Sequence, residues 1–112
     1  MQSDTIVAIS TPSGRAGIGV IRISGSDAIS IVQALVKKKV AVRTPKLYQV
    51  LDDCNQTLDD AIVIFYGAPR SYTGDDLIEM QCHSNPLILN EIVSLCCKKG
   101  ARPANPGEFT ER

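Results

Sequence analysis

Short β-branched runs alternate with two stretches of helical spacing along this chain. Thr5 to Ile9 (TIVAI) is almost wholly apolar and reads as a buried strand. Val20 to Ser24 reads as a second strand. Side chains alternate along a strand, so Ile21 and Ile23 belong to the core, and Val20, Arg22 and Ser24 face the other way. Ile29, Val32, Leu35 and Val36 recur at helical spacing and predict an amphipathic helix over Asp27 to Lys37, capped by Ser26 or Asp27. Leu47 to Leu51 and Leu58 to Tyr66 predict a β-hairpin with Asn55-Gln56 at its tip. Leu77 to His83 is a further strand: Ile78, Met80 and Cys82 form its core set, and Leu77, Glu79, Gln81 and His83 share the opposite face. Asn85 as cap and Pro86 as first residue open a second helix, whose stripe is Ile88, Leu89, Ile92, Leu95 and Cys96, and Gly100 closes it. Ala101 to Glu108 reads as extended and turn-like. The order predicts an α+β fold, a mixed and mostly antiparallel sheet with two or three helices.

Composition narrows the class. The 112 residues suit a single domain over 1–112, and a hydrophobic fraction of 44% suffices for an ordinary core. Twelve basic and twelve acidic residues balance, which argues against a broad nucleic-acid-binding face. Phe65, Phe109, Tyr48, Tyr66 and Tyr72 are the aromatic residues, too few for a base-stacking platform. Cys54, Cys82, Cys96 and Cys97 form no CxxC pair, so zinc-finger spacing fails. Free thiols in a reducing cytoplasm are the simplest reading, and neither a signal peptide nor an 18-residue apolar run is present. The chain stops at Phe109-Thr110-Glu111-Arg112 without a finished element, which points to a piece of a longer protein.

The glycine-rich stretch Thr11 to Gly25 invites a phosphate-loop reading, but its glycines lead into a strand rather than a helix N-terminus, and no Gly-x-x-x-x-Gly-Lys-Ser/Thr occurs. Lys37-Lys38-Lys39 sits where positive charge suits a helix C-terminus. Cys82 and His83 point to opposite faces, so a Cys–His dyad fails, and a metal site with Cys96 and Cys97 needs ligands from both faces. His83 reads as a strand-end histidine bonded to a loop carbonyl. The pairs Asp59-Asp60 and Asp75-Asp76 read as turn and edge charges. Arg22 and Glu79 remain, each a lone charge inside an apolar strand. Two accounts stay open. Either they form a structural ion pair, or they line a pocket in which the carboxylate accepts paired N–H bonds from a flat, amidine-like heterocycle and the arginine meets a carbonyl or carboxylate.

Four stretches carry a family resemblance: Asp4 to Ala8, Gly14 to Gly25 (GRAGIGVIRISG), Ser71 to Glu79 (SYTGDDLIE) and Ala101 to Thr110 (ARPANPGEFT). In this order they resemble the N-terminal domain of the MnmE (TrmE) family of tRNA modification GTPases. The resemblance implies a domain that binds 5-formyltetrahydrofolate, is similar to the folate-binding domain of aminomethyltransferases, and forms a homodimer. It implies a full protein with a helical domain and a GTPase domain that uses GTP, Mg and K. That protein is a cytoplasmic hydrolase, without membrane attachment, that modifies carbon 5 of the tRNA wobble uridine with the FAD-dependent partner MnmG. Arg22 and Glu79 match the family's folate-contacting arginine and glutamate. A third contact, a lysine beyond the GEFT motif, lies past Arg112. His83-Ser84-Asn85 stands where the family usually has His-Gly-Gly, and Arg15-Ala16-Gly17 where Arg-Gly-Gly is more common.

Overall fold

The computed structural model describes residues 4–10, 17–67 and 76–111. The first part of the glycine-rich stretch, the Ser71 to Gly74 motif and Asp75 lie outside the described residues. Strands β1 (Ile6–Ile9), β2 (Ile18–Ser24), β3 (Lys46–Leu51), β4 (Thr57–Tyr66), β5 (Leu77–His83) and β6 (Arg102–Pro103) form one sheet in the order β3-β4-β5-β2-β1-β6. Among the six described strands, only β6 runs parallel to its neighbour, β1, and the other strand pairs are antiparallel. Helices α1 (Ala28–Val36) and α2 (Pro86–Lys98) follow β2 and β5, and a short α3 (Glu108–Glu111) closes the described chain. This is the α+β architecture that the sequence predicts.

The core lies between the helices and one face of the sheet. Ile21, Ile23, Val50, Val63, Ile78 and Met80 project from the strands into the same buried cluster as Ile31, Val32 and Leu35 of α1 and Ile92, Leu95 and Cys96 of α2. Each large side chain buried there contributes roughly 1.5–3 kcal/mol relative to exposure. Gly19 sets how near α2 can lie: a Cβ there would stand 2.6 Å from Leu89 Cδ1.

The start of α1 differs from expectation. Neither Ser26 nor Asp27 caps it through a side chain. Instead the Asp27 N–H donates to the Thr5 hydroxyl (3.0 Å), and the Ala28 N–H to the Gly25 carbonyl (3.2 Å). Gly25 explains the substitution. At φ 141°, and with Thr5 Cα 2.6 Å from where its Cβ would be, it brings β1 so close that Thr5 does the capping. The start of α2 follows expectation, with Asn85 Oδ1 accepting from the N–H groups of Leu87 (2.9 Å) and Ile88 (3.4 Å).

The stretch read as extended and turn-like contains two elements. β6 is two residues long, held by Arg102 N–H to Thr5 O and Ala104 N–H to Val7 O, both 2.9 Å. α3 is pinned by Glu108, whose carboxylate accepts from the Asn105 N–H (2.8 Å) and from Arg102. Arg102 also pairs with Asp4, so three ends of the fold meet on one guanidinium.

Candidate functional site

Alternation gives the sheet a second face, opposite α1 and α2. Its middle carries the two charges that the sequence isolates. Arg22 and Glu79 are direct cross-strand neighbours in the β2–β5 register, flanked by Ala8 on β1 and Ile64 on β4. Arg22 Nε donates to Glu79 Oε2 at 3.0 Å, and Arg22 Nη1 to Ser10 Oγ at 3.0 Å. Gln81 Nε2 donates to Glu79 Oε1 at 3.3 Å. The side chains keep 33% and 17% of their surface exposed, so the pair is partly desolvated yet reachable. A carboxylate fixed through both oxygens still has lone pairs for a ligand, and a guanidinium carries five N–H donors. The arrangement suits a flat polar heterocycle bound by directional hydrogen bonds.

The two ends of this face differ. Ile6, Ser24 and Leu77 stand in register and are buried. Toward the other end Ile18 is 52% and Ile62 39% exposed. There a cavity of about 360 Å³ is lined by Ile18, Leu47, Asp60, Ile62, Gln81 and His83, among others.

Asp59 corrects the reading of its pair as turn and edge charges, because it is buried. Its Oδ2 accepts from the His83 N–H (2.8 Å), and its Oδ1 from the Asp60 N–H (2.8 Å) and from His83 Nδ1 (2.6 Å). The histidine is therefore bonded to a carboxylate, not to a loop carbonyl. Burial alone pushes the Asp59 carboxyl up; the hydrogen bonds from His83 and Asp60 outweigh it and hold the group below its ordinary value. The hydrogen bond that the ring donates to Asp59, then the charge of Asp59, raises the His83 imidazole. The signal for Asp59 lies in the sequence: it shares the core-facing parity of Ala61 and Val63, and a carboxylate there needs partners. Burial pushes the Cys82 and Cys96 thiols up to about 12, which leaves both protonated and unreactive. Among the described residues no three metal-binding side chains converge, and no helix is long and apolar enough to cross a membrane.

A helix-backed, mostly antiparallel sheet with a paired arginine and glutamate on one face defines a domain of the α+β class. Comparison with known proteins gives it a family. The family described as GTP-binding protein TrmE N-terminus matches residues 5–112. The tRNA modification GTPase MnmE of Francisella philomiragia is 51% identical over 109 residues, 97% of this chain and 24% of that protein. The protein of the same name from Francisella tularensis subsp. novicida is 53% identical over 109 residues, again 97% and 24%. The chain belongs to the TrmE N-terminal family, and it spans about a quarter of the length of the curated relatives it matches.

Proposed function

We propose that this chain is the folate-binding and homodimerisation domain of a tRNA-modifying GTPase. The cross-strand pair of Arg22 and Glu79 carries the reading. It sets a carboxylate and a guanidinium side by side on the sheet face opposite the helices. The amidine-like edge of a reduced pterin offers the N–H groups that Glu79 accepts, and a formyl or ring carbonyl suits Arg22. The ligand is 5-formyltetrahydrofolate or a related tetrahydrofolate, and it supplies a one-carbon unit. In the longer protein, GTP hydrolysis with Mg and K takes place in a separate domain. Together with MnmG that cytoplasmic protein modifies carbon 5 of the tRNA wobble uridine.

The test is calorimetric titration with 5-formyltetrahydrofolate. Glu79→Ala removes at least two hydrogen bonds to a charged group, about 3 kcal/mol or more, and lowers affinity at least about 100-fold. Sedimentation of the same variant shows an intact dimer. A second reading has its own observation: the 3.0 Å bond between Arg22 and Glu79 also fits a structural ion pair in a pure dimerisation module. A well-folded wild-type dimer that gives no heat, together with a Glu79→Ala variant that unfolds, selects that reading.

A further inference from the structure

Among the described residues, the open face offers a ligand one direction of travel. Ile6, Ser24 and Leu77 share it with Arg22 and Glu79, yet they are buried and close that end. A molecule seated on Arg22 and Glu79 therefore extends along the strands toward Gln81 and His83, past exposed Ile18 and Ile62 and into the 360 Å³ cavity. Glu79 and His83 are four strand residues apart, about 13 Å at 3.3 Å per residue. That span exceeds a fused heterocycle and requires an elongated ligand.

The group at the far end is a prepared one. Asp59 is fixed by two backbone N–H donors before the ring meets it. A carboxylate only accepts, so Nδ1 of His83 carries a proton in both charge states of the ring. Nε2 is then the nitrogen left for a ligand, bare when the ring is neutral and a cationic donor when it is charged. The side chain is 74% exposed, and His83 is among the residues that line the cavity. We propose that His83, oriented by Asp59, binds an acidic group at the far end of the ligand whose flat head rests on Arg22 and Glu79. On the folate reading, on which this inference rests, that group is a carboxylate of the glutamate tail.

The titratable groups facing the ring are Asp59 and Asp60 of β4. The neighbouring walls from β2 and β3, Gly17, Ile18 and Leu47, carry none. Asp60 lines the same cavity and repels an anion, so the charged ring is what makes the site attractive.

Calorimetry with two ligands tests this on the wild type and His83→Gln, between about pH 6 and 8.5. One ligand is 5-formyltetrahydrofolate; the other is a tetrahydropterin without the benzoylglutamate. The wild type binds the folate more tightly, and that advantage falls as pH rises through the ring's titration, above its ordinary 6.5. His83→Gln weakens folate binding by up to about fivefold, leaves tetrahydropterin binding unchanged and removes the pH dependence. Asp60→Asn strengthens folate binding alone. If His83→Gln weakens both ligands equally, or neither, the inference is overturned while the Arg22–Glu79 site stands. Equal wild-type affinity for the two ligands overturns it too. A wild type that binds neither ligand overturns the folate reading, and this inference with it.

Discussion

Gly25→Ala should be among the most damaging single-methyl additions to this fold. Gly25 sits at φ 141°, where an L side chain is strained by roughly 1–3 kcal/mol. The added Cβ would lie 2.6 Å from Thr5 Cα, 2.6 Å from Thr5 Oγ1 and 2.9 Å from the Asp4 carbonyl. Two of these neighbours are backbone, so relief means moving β1, at a further cost of roughly 1–3 kcal/mol. Thr5 Oγ1 also accepts the Asp27 N–H that starts α1, and a lost cap costs about 1 kcal/mol. The sum, about 3–7 kcal/mol, rivals the whole stability of a small domain. Gly100→Ala is the internal control: its φ is 120°, but nothing lies within 4 Å of the added Cβ, so it carries strain without overlap. In urea denaturation, at a slope of about 1–3 kcal/mol/M, Gly25→Ala moves the midpoint down by at least about 0.7 M more than Gly100→Ala does. Thr5→Ala does not rescue it, because the Thr5 Cα remains. Equal midpoints for the two glycine variants would refute the overlap argument.

Other expectations follow from the same contacts. Gly19→Ala meets the end of a flexible side chain, Leu89, and costs about 1–2 kcal/mol; adding Leu89→Ala relieves the overlap, so denaturation of the double variant shows less than the summed loss. Asp59 has a lowered folded pKa, so its contribution is present above its unfolded value of 3.8 and is lost as pH falls through the folded one. His83 has a raised folded pKa, so its contribution is complete below 6.5 and is lost as pH rises through the folded value. Asp59→Asn therefore destabilises most between these limits and less at alkaline pH, by about 1–3 kcal/mol at its largest, read from denaturation midpoints against pH. With a thiol reagent under native conditions, exposed Cys54 reacts fast, whereas buried Cys82 and Cys96 react only at the rate of unfolding.

Local pattern made most of the sheet legible. Alternation along β2 and β5 isolates Arg22 and Glu79, because a charge at a polar-parity position in an apolar strand is visible in one dimension. Their 3.0 Å bond was not visible, since cross-strand register depends on how β2 and β5 align. Asp59 was misread for a related reason. Its neighbour Asp60 is a surface charge, and adjacency in sequence hid the fact that the two point to opposite faces, one buried and one exposed. α1's cap was misassigned because the capping hydroxyl belongs to Thr5, 22 positions earlier. β6 escaped because two residues have no periodicity; their pairing partner, not their composition, makes them a strand.

That pairing has a consequence for how the chain reaches its folded state. β1 is made well before β6, yet one of its edges is covered only when β6 arrives, with Arg102 and Asp4 joined across 98 positions. Closing so long a loop is entropically slow, and it defers the reward of the contact to the end of folding. During synthesis the sheet can assemble from β2 to β5 while the outer edge of β1 stays open to pairing with another chain. Arg102, with its two acidic partners, is then the latch that ends this exposure. Variants such as Arg102→Ala should reveal themselves first as aggregation of newly made protein rather than as a lower melting point of the folded one.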